Sequence, residues 1–453
     1  MDTKALRQKI LDLAIHGKLV PQDPNDEPAS VLLERIRTEK ERLIKEGKIK
    51  KGKKSAKTSD KPHYPYELPK GWVWCKLDDI AYVGTGATPL TACKYYYENG
   101  NIAWINSSST KVPFIAKASN FITQKAIEET NCLVYPKGTL VIAMYGEGKT
   151  RGQISELLID AATNQACAAV RPYSEATKKY LKLFFEGNYL HIRALAEGGN
   201  QQNLSVGKIQ NYEIPLPPLD EQKRILDKAK ELLLQVENIE VGKSVCQKYI
   251  NQAKSKVLDL AIHGKLVSQD PNDEPAIELL KRINPKAEII TDNGHYQKLP
   301  SGWAICRLAD IVSYEQPTPY IVKSTNYADS YETPVLTAGK SFIIGYTDET
   351  AGIYTSLPCI IFDDFTTDSK FVDFPFKVKS SAMKILQVVK GVNIEYVSMF
   401  MSITRLIGDT HKRYWISEYS KIEIPIPPLE EQRRIVDIVE LIFNKLDTIS
   451  KRL

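Results

Sequence analysis

Apolar residues recur every seven positions through the middle of the chain. A seven-residue apolar repeat that persists over five heptads is typical of a coiled-coil seam rather than of an ordinary surface helix. The pattern predicts one continuous helix from Leu219 to Ile262, roughly 65 Å long at the usual rise per residue. The first column of the repeat consists of Ile225, Leu232, Ile239, Cys246, Ala253 and Leu260.

Both ends of the chain repeat parts of this central helix. The segment 214–225 returns at 424–435 with the motif Pro-Pro-Leu-Asp/Glu-Glu-Gln. The segment 11–36 matches 258–283 at 22 of 26 positions. The terminal helices thus resemble two halves of one long helix, and antiparallel packing on the central helix would close a ring with a pseudo-two-fold axis. The residues predicted to line the seam are Ile225, Leu232, Val236, Ile239, Ile250, Val257, Ile435, Ile442 and Leu446.

Two β-rich stretches lie between the repeated segments. Each begins at a Leu-Pro-x-Gly-Trp motif, at Leu68 and at Leu299, and each ends at a Pro-rich motif. Short β-type runs broken by Gly, Pro and Asn predict an α+β fold, in which a long antiparallel two-helix coiled coil separates two β-rich domains. The predicted division is 1–60 for the N-terminal helices and a basic arm, 61–216 for domain 1, 217–295 for the central long helix and a short helix, 296–426 for domain 2, and 427–453 for the C-terminal helix.

Two near-identical scaffolds that hold two unlike domains indicate a molecule that fixes the separation of two binding heads. On DNA, two heads related by a two-fold axis would face grooves about one helical turn apart, or a multiple of that distance. Because the heads differ, the expected target is a split, asymmetric sequence with an unread gap. A protein-interaction scaffold, in which a coiled coil carries two ligand modules without a DNA role, is the alternative.

The positive charge of the chain is concentrated in one segment. The net charge is +6, whereas the segment 37–63 contains eleven basic and four acidic residues, a net charge of +7. Lys and Arg displace counterions from a nucleic-acid backbone, so this basic arm is a candidate phosphate contact. A solvated helix end followed by a linker is equally compatible with the pattern.

Neither a membrane span nor a disulfide framework is indicated. No apolar run approaches the about 20 residues that a span needs, and the chain opens without the pattern of a signal peptide. A cytoplasmic location is therefore expected. The seven cysteines include no C-x-x-C pair, which favours reduced thiols over a zinc site.

Several motifs together carry a family resemblance. They are the duplicated Pro-rich motif, the duplicated Leu-Asp-Leu-Ala-Ile-His-Gly-Lys-Leu-Val segment, the two Leu-Pro-x-Gly-Trp motifs, and the segments 84–89, 101–105 and 163–167. On these motifs, the chain resembles the specificity subunit of a type I restriction-modification enzyme over essentially its full length.

The resemblance implies two target-recognition domains that read a bipartite asymmetric site on double-stranded DNA, and two modification subunits bound to the chain. It also implies that these subunits carry S-adenosylmethionine and methylate adenine, while restriction subunits add translocation and cleavage that use ATP and Mg. The chain itself would then be a non-catalytic specificity subunit with no cofactor or metal of its own. Consistent with this, the sequence contains no methyltransferase, hydrolase or dinucleotide-binding motif.

A Gly-rich segment in domain 1 resembles the end of a phosphate-binding loop. That pattern requires Gly five residues before Gly148, where Ala143 stands, and no helical pattern follows. A hairpin that presents side chains to DNA is the better interpretation, with a plain surface turn as the alternative. The predicted DNA contacts of domain 1 are Tyr145, Lys149, Thr150, Arg151, Asn200, Gln201 and Gln202. The last three are amides, which can bond N6 and N7 of adenine, although a loop that caps the next element explains them equally well.

Candidate contacts in domain 2 combine a polar cluster with basic residues further along the chain, which are expected to meet phosphates. The predicted contacts are Gln316, Thr318, Tyr320, Lys323, Lys340, Lys412 and Arg413. The neighbouring pair Asp363 and Asp364 has no His or third carboxylate nearby in the sequence. A solvated turn or an internal hydrogen-bonding role is therefore favoured over a metal site.

Overall fold

The structure is a computed structural model that describes residues 2–49, 66–146, 149–195, 203–291, 296, 298–337, 342–406 and 413–453. The chain divides into two compact units, Met1–Val241 and Gly242–Leu453. A 44-residue helix begins in the first unit and ends in the second. The predicted α+β class, with two β-rich domains and a long helix between them, is confirmed. Ring closure and the five-part division of the chain stay predictions.

Capping residues set both ends of the first helix. Asp2 caps the first helix by accepting hydrogen bonds from the N–H groups of Lys4 and Ala5. Gly17 follows the end of that helix in the left-handed conformation, with φ of 64°. The α-helices are α1 (Thr3–Ile15), α2 (Ala29–Lys45), α3 (Leu77–Ile80), α4 (Gln124–Glu129), α5 (Glu175–Gly187), α6 (Tyr189–Ala194) and α7 (Val206–Gln210), with 3₁₀ turns at Lys94–Tyr96 and Ser107–Lys111.

The strands of domain 1 are β1 (Val73–Lys76), β2 (Ala81–Thr85), β3 (Ile102–Ile105), β4 (Phe114–Ile115), β5 (Asn120–Ile122), β6 (Val134–Tyr135), β7 (Leu140–Ala143), β8 (Ile154–Leu157), β9 (Ala161–Thr163), β10 (Cys167–Pro172) and β11 (Glu213–Leu216). A five-stranded sheet has the order β2-β10-β7-β8-β4, and a four-stranded sheet has the order β5-β3-β9-β6. Every residue of β7 is buried, as expected for a central strand covered on both faces. The separate pair β1–β11 ties the entrance of the domain to its exit.

The second unit repeats this plan with fewer strands among its described residues. The central helix α8 (Leu219–Ile262) has the bounds that the heptad pattern predicts. It is followed by α9 (Ala276–Ile283), α10 (Leu308–Ile311), α11 (Ile394–Ile403), α12 (Tyr414–Ser417) and α13 (Leu429–Arg452), with 3₁₀ turns at Thr318–Tyr320 and Tyr419–Lys421. Among the described residues, no helix combines the length and apolar character that crossing a membrane requires.

The strands of domain 2 are β12 (Ala304–Arg307), β13 (Val312–Glu315), β14 (Thr333–Leu336), β15 (Ile343–Thr347), β16 (Cys359–Asp363), β17 (Ser369–Val372), β18 (Lys377–Val378), β19 (Met383–Val388) and β20 (Glu423–Ile426). They form a four-stranded sheet of order β13-β19-β16-β17 and a three-stranded sheet of order β15-β14-β18. The pair β12–β20 corresponds to β1–β11 and again joins the domain entrance to its exit.

The seam of α8 is occupied separately in each unit. In the first unit α1 packs on α8. Arg7 pairs with Glu240 at 3.8 Å, and Gln22, beyond the end of α1, bonds Glu221 at the start of α8, so the two helices are antiparallel. In the second unit α13 packs on α8 in the same sense, with Lys254 Nζ 2.6 Å from Asp447 Oδ1 and the Ser450 hydroxyl 2.6 Å from Gln247 Oε1. Cys246 stands in the first column of the heptad repeat but is not among the predicted seam residues, and its side chain is exposed. The predicted seam residues are buried at Ile225, Val236, Ile250 and Ile435 and half-buried at Leu232, Ile239, Val257, Ile442 and Leu446.

Candidate nucleic-acid interface

A buried carboxylate joins domain 1 to the central helix. Glu221, in the first turn of α8, is only 1% exposed. One of its oxygens accepts a hydrogen bond from Trp72 Nε1 at 3.0 Å, and the other accepts one from Gln22 Nε2 at 3.0 Å. The Trp of the Leu-Pro-x-Gly-Trp motif, the loop after α1 and the start of α8 therefore meet at one side chain.

The same joint recurs at the foot of domain 2. Glu431, also 1% exposed, accepts hydrogen bonds from Trp303 Nε1 at 3.1 Å and from Gln269 Nε2 at 3.0 Å. We call the two sets the paired joints: Gln22, Trp72 and Glu221 in the first unit, and Gln269, Trp303 and Glu431 in the second. Two unlike domains are therefore attached to α8 and α13 by the same contacts.

Ion pairs reinforce both joints. Arg224 Nη2 lies 2.5 Å from Asp26 Oδ2, and Arg434 Nη2 lies 2.6 Å from Asp273 Oδ2. The acids of the repeated Pro-rich motif suit helix N-termini, where the dipole favours negative charge. Sequence reasoning could not show that one acid in each copy is also a buried hydrogen-bond acceptor. Gln, Trp and Glu recur at matching positions in both copies, which is a sign that they act together, but the sequence does not show that their side chains meet.

The paired joints predict a pH dependence of stability. Burial raises the pKa of Glu221 and Glu431 above the ordinary value of 4.5, although the Trp and Gln donors act in the opposite direction. A carboxyl group with a raised folded-state pKa binds its proton more tightly in the folded chain. Its stabilising contribution is therefore complete below pH 4.5 and is lost as the pH rises through the folded-state pKa.

Urea unfolding of the wild type and of Glu221→Gln/Glu431→Gln between pH 7 and pH 4.5 measures this effect. We expect the wild type to gain stability relative to the variant as the pH falls, because the variant has no carboxyl groups to titrate at these positions. A difference that stays constant over the whole range would contradict the prediction.

Three motifs of the sequence meet at one corner of domain 1. Gly86 approaches the strand end at Thr163 so closely that a Cβ atom would lie 1.6 Å from the carbonyl oxygen of Thr163. Only glycine fits at such a distance. Asn164 donates its N–H to the carbonyl of Ile105 at 3.0 Å, which brings the segment 101–105 to the same place. The segments 84–89, 101–105 and 163–167 therefore build one structural corner.

This corner adjoins the predicted DNA-contacting hairpin. The exposed side chains of Thr88 and Gln165 are joined by a hydrogen bond of 2.6 Å. The next residue, Ala166, accepts a hydrogen bond from the N–H of Met144 at 2.8 Å. Because Met144 precedes Tyr145, the exposed amide of Gln165 and the exposed phenol ring lie on neighbouring segments. Sequence reasoning did not select Thr88 or Gln165 as candidate contacts.

The segment between β7 and β8 is a hairpin, as predicted, and its described residues lead into strand β8 rather than into the helix that a phosphate-binding loop would require. Tyr145 is 37% exposed and Lys149 is also exposed, whereas Thr150 and Arg151 are half-buried. The Tyr189 hydroxyl donates to the carbonyl of Lys149 at 2.7 Å and thereby anchors the hairpin to α6. The hairpin presents an aromatic ring and a cation to solvent, and contact with DNA stays a prediction.

The domain 2 candidates occupy two places. Gln316, Thr318 and Lys323 are exposed along one segment that includes the 3₁₀ turn. Tyr320 in the same segment is half-buried, and its hydroxyl donates to a carboxylate oxygen of Glu315 at 2.7 Å. This hydrogen bond raises the pKa of Tyr320 to about 12. Arg413, by contrast, is exposed immediately before α12.

Several predicted contacts lie outside the described residues: Asn200, Gln201, Gln202, Lys340 and Lys412. Residues 50–63 of the basic arm also lie outside them. In its described part, Arg42 pairs with Glu39 and Glu46, and Lys40 pairs with Asp78. Acidic neighbours therefore offset part of the positive charge at the end of α2.

Two roles were expected for the pair Asp363 and Asp364, a solvated turn or internal hydrogen bonding, and the structure shows the second. Both side chains are buried rather than solvated. Asp363 accepts hydrogen bonds from its own turn, and Asp364 accepts one from the N–H of Trp415 at 2.8 Å. Within the described ranges, no group of three or more His, Cys, Asp or Glu side chains is arranged to hold a metal ion.

Comparison with known proteins places these domains in a family. The model of the type I restriction modification DNA specificity domain matches residues 69–244 and 300–453, one match for each β-rich domain. The chain belongs to this family, and the resemblance seen in the sequence motifs is confirmed. The two matches each include one β-rich domain and one of the Pro-rich motifs.

Curated relatives carry the corresponding name. The type I restriction enzyme EcoAI specificity subunit of Escherichia coli is 30% identical over 380 residues, which are 69% of this chain and 62% of that protein. The EcoR124I/EcoR124II specificity subunit of the same organism is 47% identical over 146 residues, 31% of this chain and 36% of that protein. The chain thus spans about three fifths of the length of the EcoAI relative. Both relatives are named as specificity subunits, in agreement with the expectation that this chain is not itself the enzyme.

A solved structure supports the same fold. It belongs to work on the structural basis of complex assembly and conformational transition of the type I R-M system. It is 17% identical to this chain, covers 86% of this chain and 94% of its own chain, and gives a TM-score of 0.60. At this identity the comparison shows the fold alone.

Proposed function

We propose that this chain is a sequence-specific DNA-binding specificity subunit that recognises a bipartite, asymmetric target. The paired joints carry the proposal, because they attach two unlike β-rich domains to the helices through the same contacts. Such an arrangement fixes how each reading head is held while the heads themselves vary. Membership of the specificity-domain family supports the same function. The chain acts in the cytoplasm, where its DNA target is.

In this proposal the exposed edges of the two domains meet DNA. Tyr145 and Lys149 on the β7–β8 hairpin supply an aromatic ring and a cation in domain 1. Gln316, Thr318 and Lys323 supply hydrogen-bonding groups and a cation in domain 2. Cations position a protein on the phosphates, whereas amides and hydroxyls read base edges in the major groove.

The catalytic work belongs to partner subunits in this proposal. Modification subunits carry S-adenosylmethionine and methylate adenine, and restriction subunits use ATP and Mg to cleave. Each paired joint includes the second acid of one copy of the Pro-rich motif, Glu221 or Glu431, so the chain offers the same helix-end surface twice. A surface that occurs twice is expected to bind the same partner twice.

We therefore expect two modification subunits per chain. Light scattering of the complex, titrated with modification subunit to saturation, should give the mass of one chain plus two partners. A plateau at one partner per chain would contradict the duplicated docking surface, while leaving DNA recognition by the two domains untouched.

Selection of duplexes from a random pool by the complex with modification subunits tests the function itself. Enrichment of one split motif with an unread spacer is the expected result. A protein-interaction scaffold would bind no duplex, and the pool would then stay random. Selection of a single undivided motif would contradict the bipartite reading.

A further inference from the structure

The two β-rich domains share a backbone framework that their sequences do not reveal. The last residue of β7 pairs with the first residue of β10, and the last residue of β16 pairs with the first residue of β19. The next residues, Met144 and Asp364, donate their N–H groups to the carbonyls of Ala166 and Ala382 at 2.8 and 3.0 Å. These acceptors directly precede β10 and β19. The two hairpins therefore leave their sheets in the same way.

A second hydrogen bond extends the match. In domain 1 the carbonyl of Met144 accepts a hydrogen bond from the N–H of Leu204 at 3.1 Å. In domain 2 the carbonyl of Asp364 accepts one from the N–H of Tyr414 at 2.9 Å. The framework thus has the same three segments in both domains. The residues that come next, Tyr145 and Phe365, occupy equivalent positions, and both are aromatic.

The domain 2 hairpin is held firmly in its shape. Asp363 accepts hydrogen bonds from the N–H of Phe365 at 2.9 Å and from the hydroxyl of Thr366 at 2.6 Å. Thr367 has φ of 58°, and its side-chain oxygen accepts the N–H of Leu406 at 3.1 Å. A β-branched residue adopts this conformation only where surrounding contacts impose it, and such positions concentrate at functional sites.

A cation lies over the aromatic ring of this hairpin. The Arg413 guanidinium is 5.9 Å from the centroid of the Phe365 ring. Trp415, two residues further on, donates its N–H to Asp364 at 2.8 Å, which fixes the backbone beside the hairpin. An aromatic face attracts a guanidinium and limits its orientations. Arg413 is exposed, so a ligand can approach it.

We propose that Arg413 reads a guanine in the half-site bound by domain 2, with Phe365 as the residue that positions its guanidinium. The planar fork of Arg matches the O6 and N7 acceptors of guanine in the major groove. Phe365 is then the counterpart of Tyr145 at the equivalent place in domain 1. The inference rests on the proposed function, and it assigns to domain 2 a reader centred on the β16–β17 hairpin.

Binding of the complex with modification subunits to three duplexes tests the proposal: the selected target, and the target with either half-site scrambled. The variants are Arg413→Ala, Arg413→Lys and Phe365→Leu. Lys390→Ala is the matched control, because Lys390 is exposed beyond the opposite end of β19. Thermal unfolding of each variant and its binding of modification subunits confirm that the complex is intact.

We expect Arg413→Ala to reduce discrimination against the scrambled domain 2 half-site about tenfold and to leave discrimination against the other half-site unchanged. Arg413→Lys should lose as much, because Lys keeps the charge but not the fork. Phe365→Leu should lose part of this discrimination, and Lys390→Ala should lose none of it. Equal weakening on all three duplexes, or behaviour like the control, would overturn the proposal. A wild-type complex that does not discriminate among the duplexes would instead overturn the proposed function.

Discussion

Replacing Asp364 by Asn is expected to destabilise the second unit by about 3–5 kcal/mol. The carboxylate lies 3.6 Å from Lys384 Nζ, and both side chains are almost fully buried, at 3% and 2% exposure. Asn keeps an oxygen that can accept the N–H of Trp415, so this hydrogen bond is preserved. The variant therefore removes mainly the negative charge and leaves the buried ammonium group without its counter-ion.

Urea unfolding followed by tryptophan fluorescence measures the loss. The double variant Asp364→Asn/Lys384→Met should recover most of the lost stability, since removing both charges is far less costly than removing one. Glu274→Gln is the control, because the ion pair of Glu274 with Arg282 is exposed and should contribute less than about 1 kcal/mol. A single variant as stable as this control would show that the buried pair does not hold the hairpin.

Affinity for DNA is expected to fall on the order of a thousandfold between 50 and 200 mM salt, if about six phosphates are contacted. The reason is that each Lys or Arg that meets a phosphate releases condensed counterions. Fluorescence anisotropy of a labelled target with the complex of this chain and its modification subunits gives the slope of log affinity against log salt. An affinity that does not change with salt would remove phosphate contacts from the account.

The same slope tests individual cations. Lys149→Ala should lower its magnitude by about one, because the exposed Lys149 on the β7–β8 hairpin would contact one phosphate. Lys390→Ala should leave the slope unchanged. The two variants remove the same charge from the chain, so a difference between them reports position rather than net charge.

The helical frame was predictable from the sequence because its signals are local. Pro217 and Pro218 stop helix formation before Leu219, and a heptad pattern then runs to the end of α8. The pattern identified the seam face, but it could not show how far a partner helix covers that face. Cys246, for example, stands in the first column of the heptad repeat, whereas the structure exposes it.

The joints and the backbone framework shared by the two hairpins were not predictable, for two different reasons. Trp72 and Glu221 are 149 positions apart, and only the fold shows that they meet. Met144 and Asp364 occupy equivalent positions although their side chains have opposite character, because backbone hydrogen bonds define the framework. A search for similar side chains therefore could not align the two hairpins, and it predicted only a solvated turn or an internal hydrogen-bonding role for Asp363 and Asp364.

Single-molecule methylation mapping of DNA from cells that express this chain with its modification subunits tests the central claim most directly. The account predicts one split motif with a fixed unread spacer and one methylated adenine in each half, on opposite strands. Exchange of domain 2 for that of a relative should then change one half of the motif and leave the other half intact. A folded complex that leaves no modified motif, or one that modifies a single undivided site, would contradict the account.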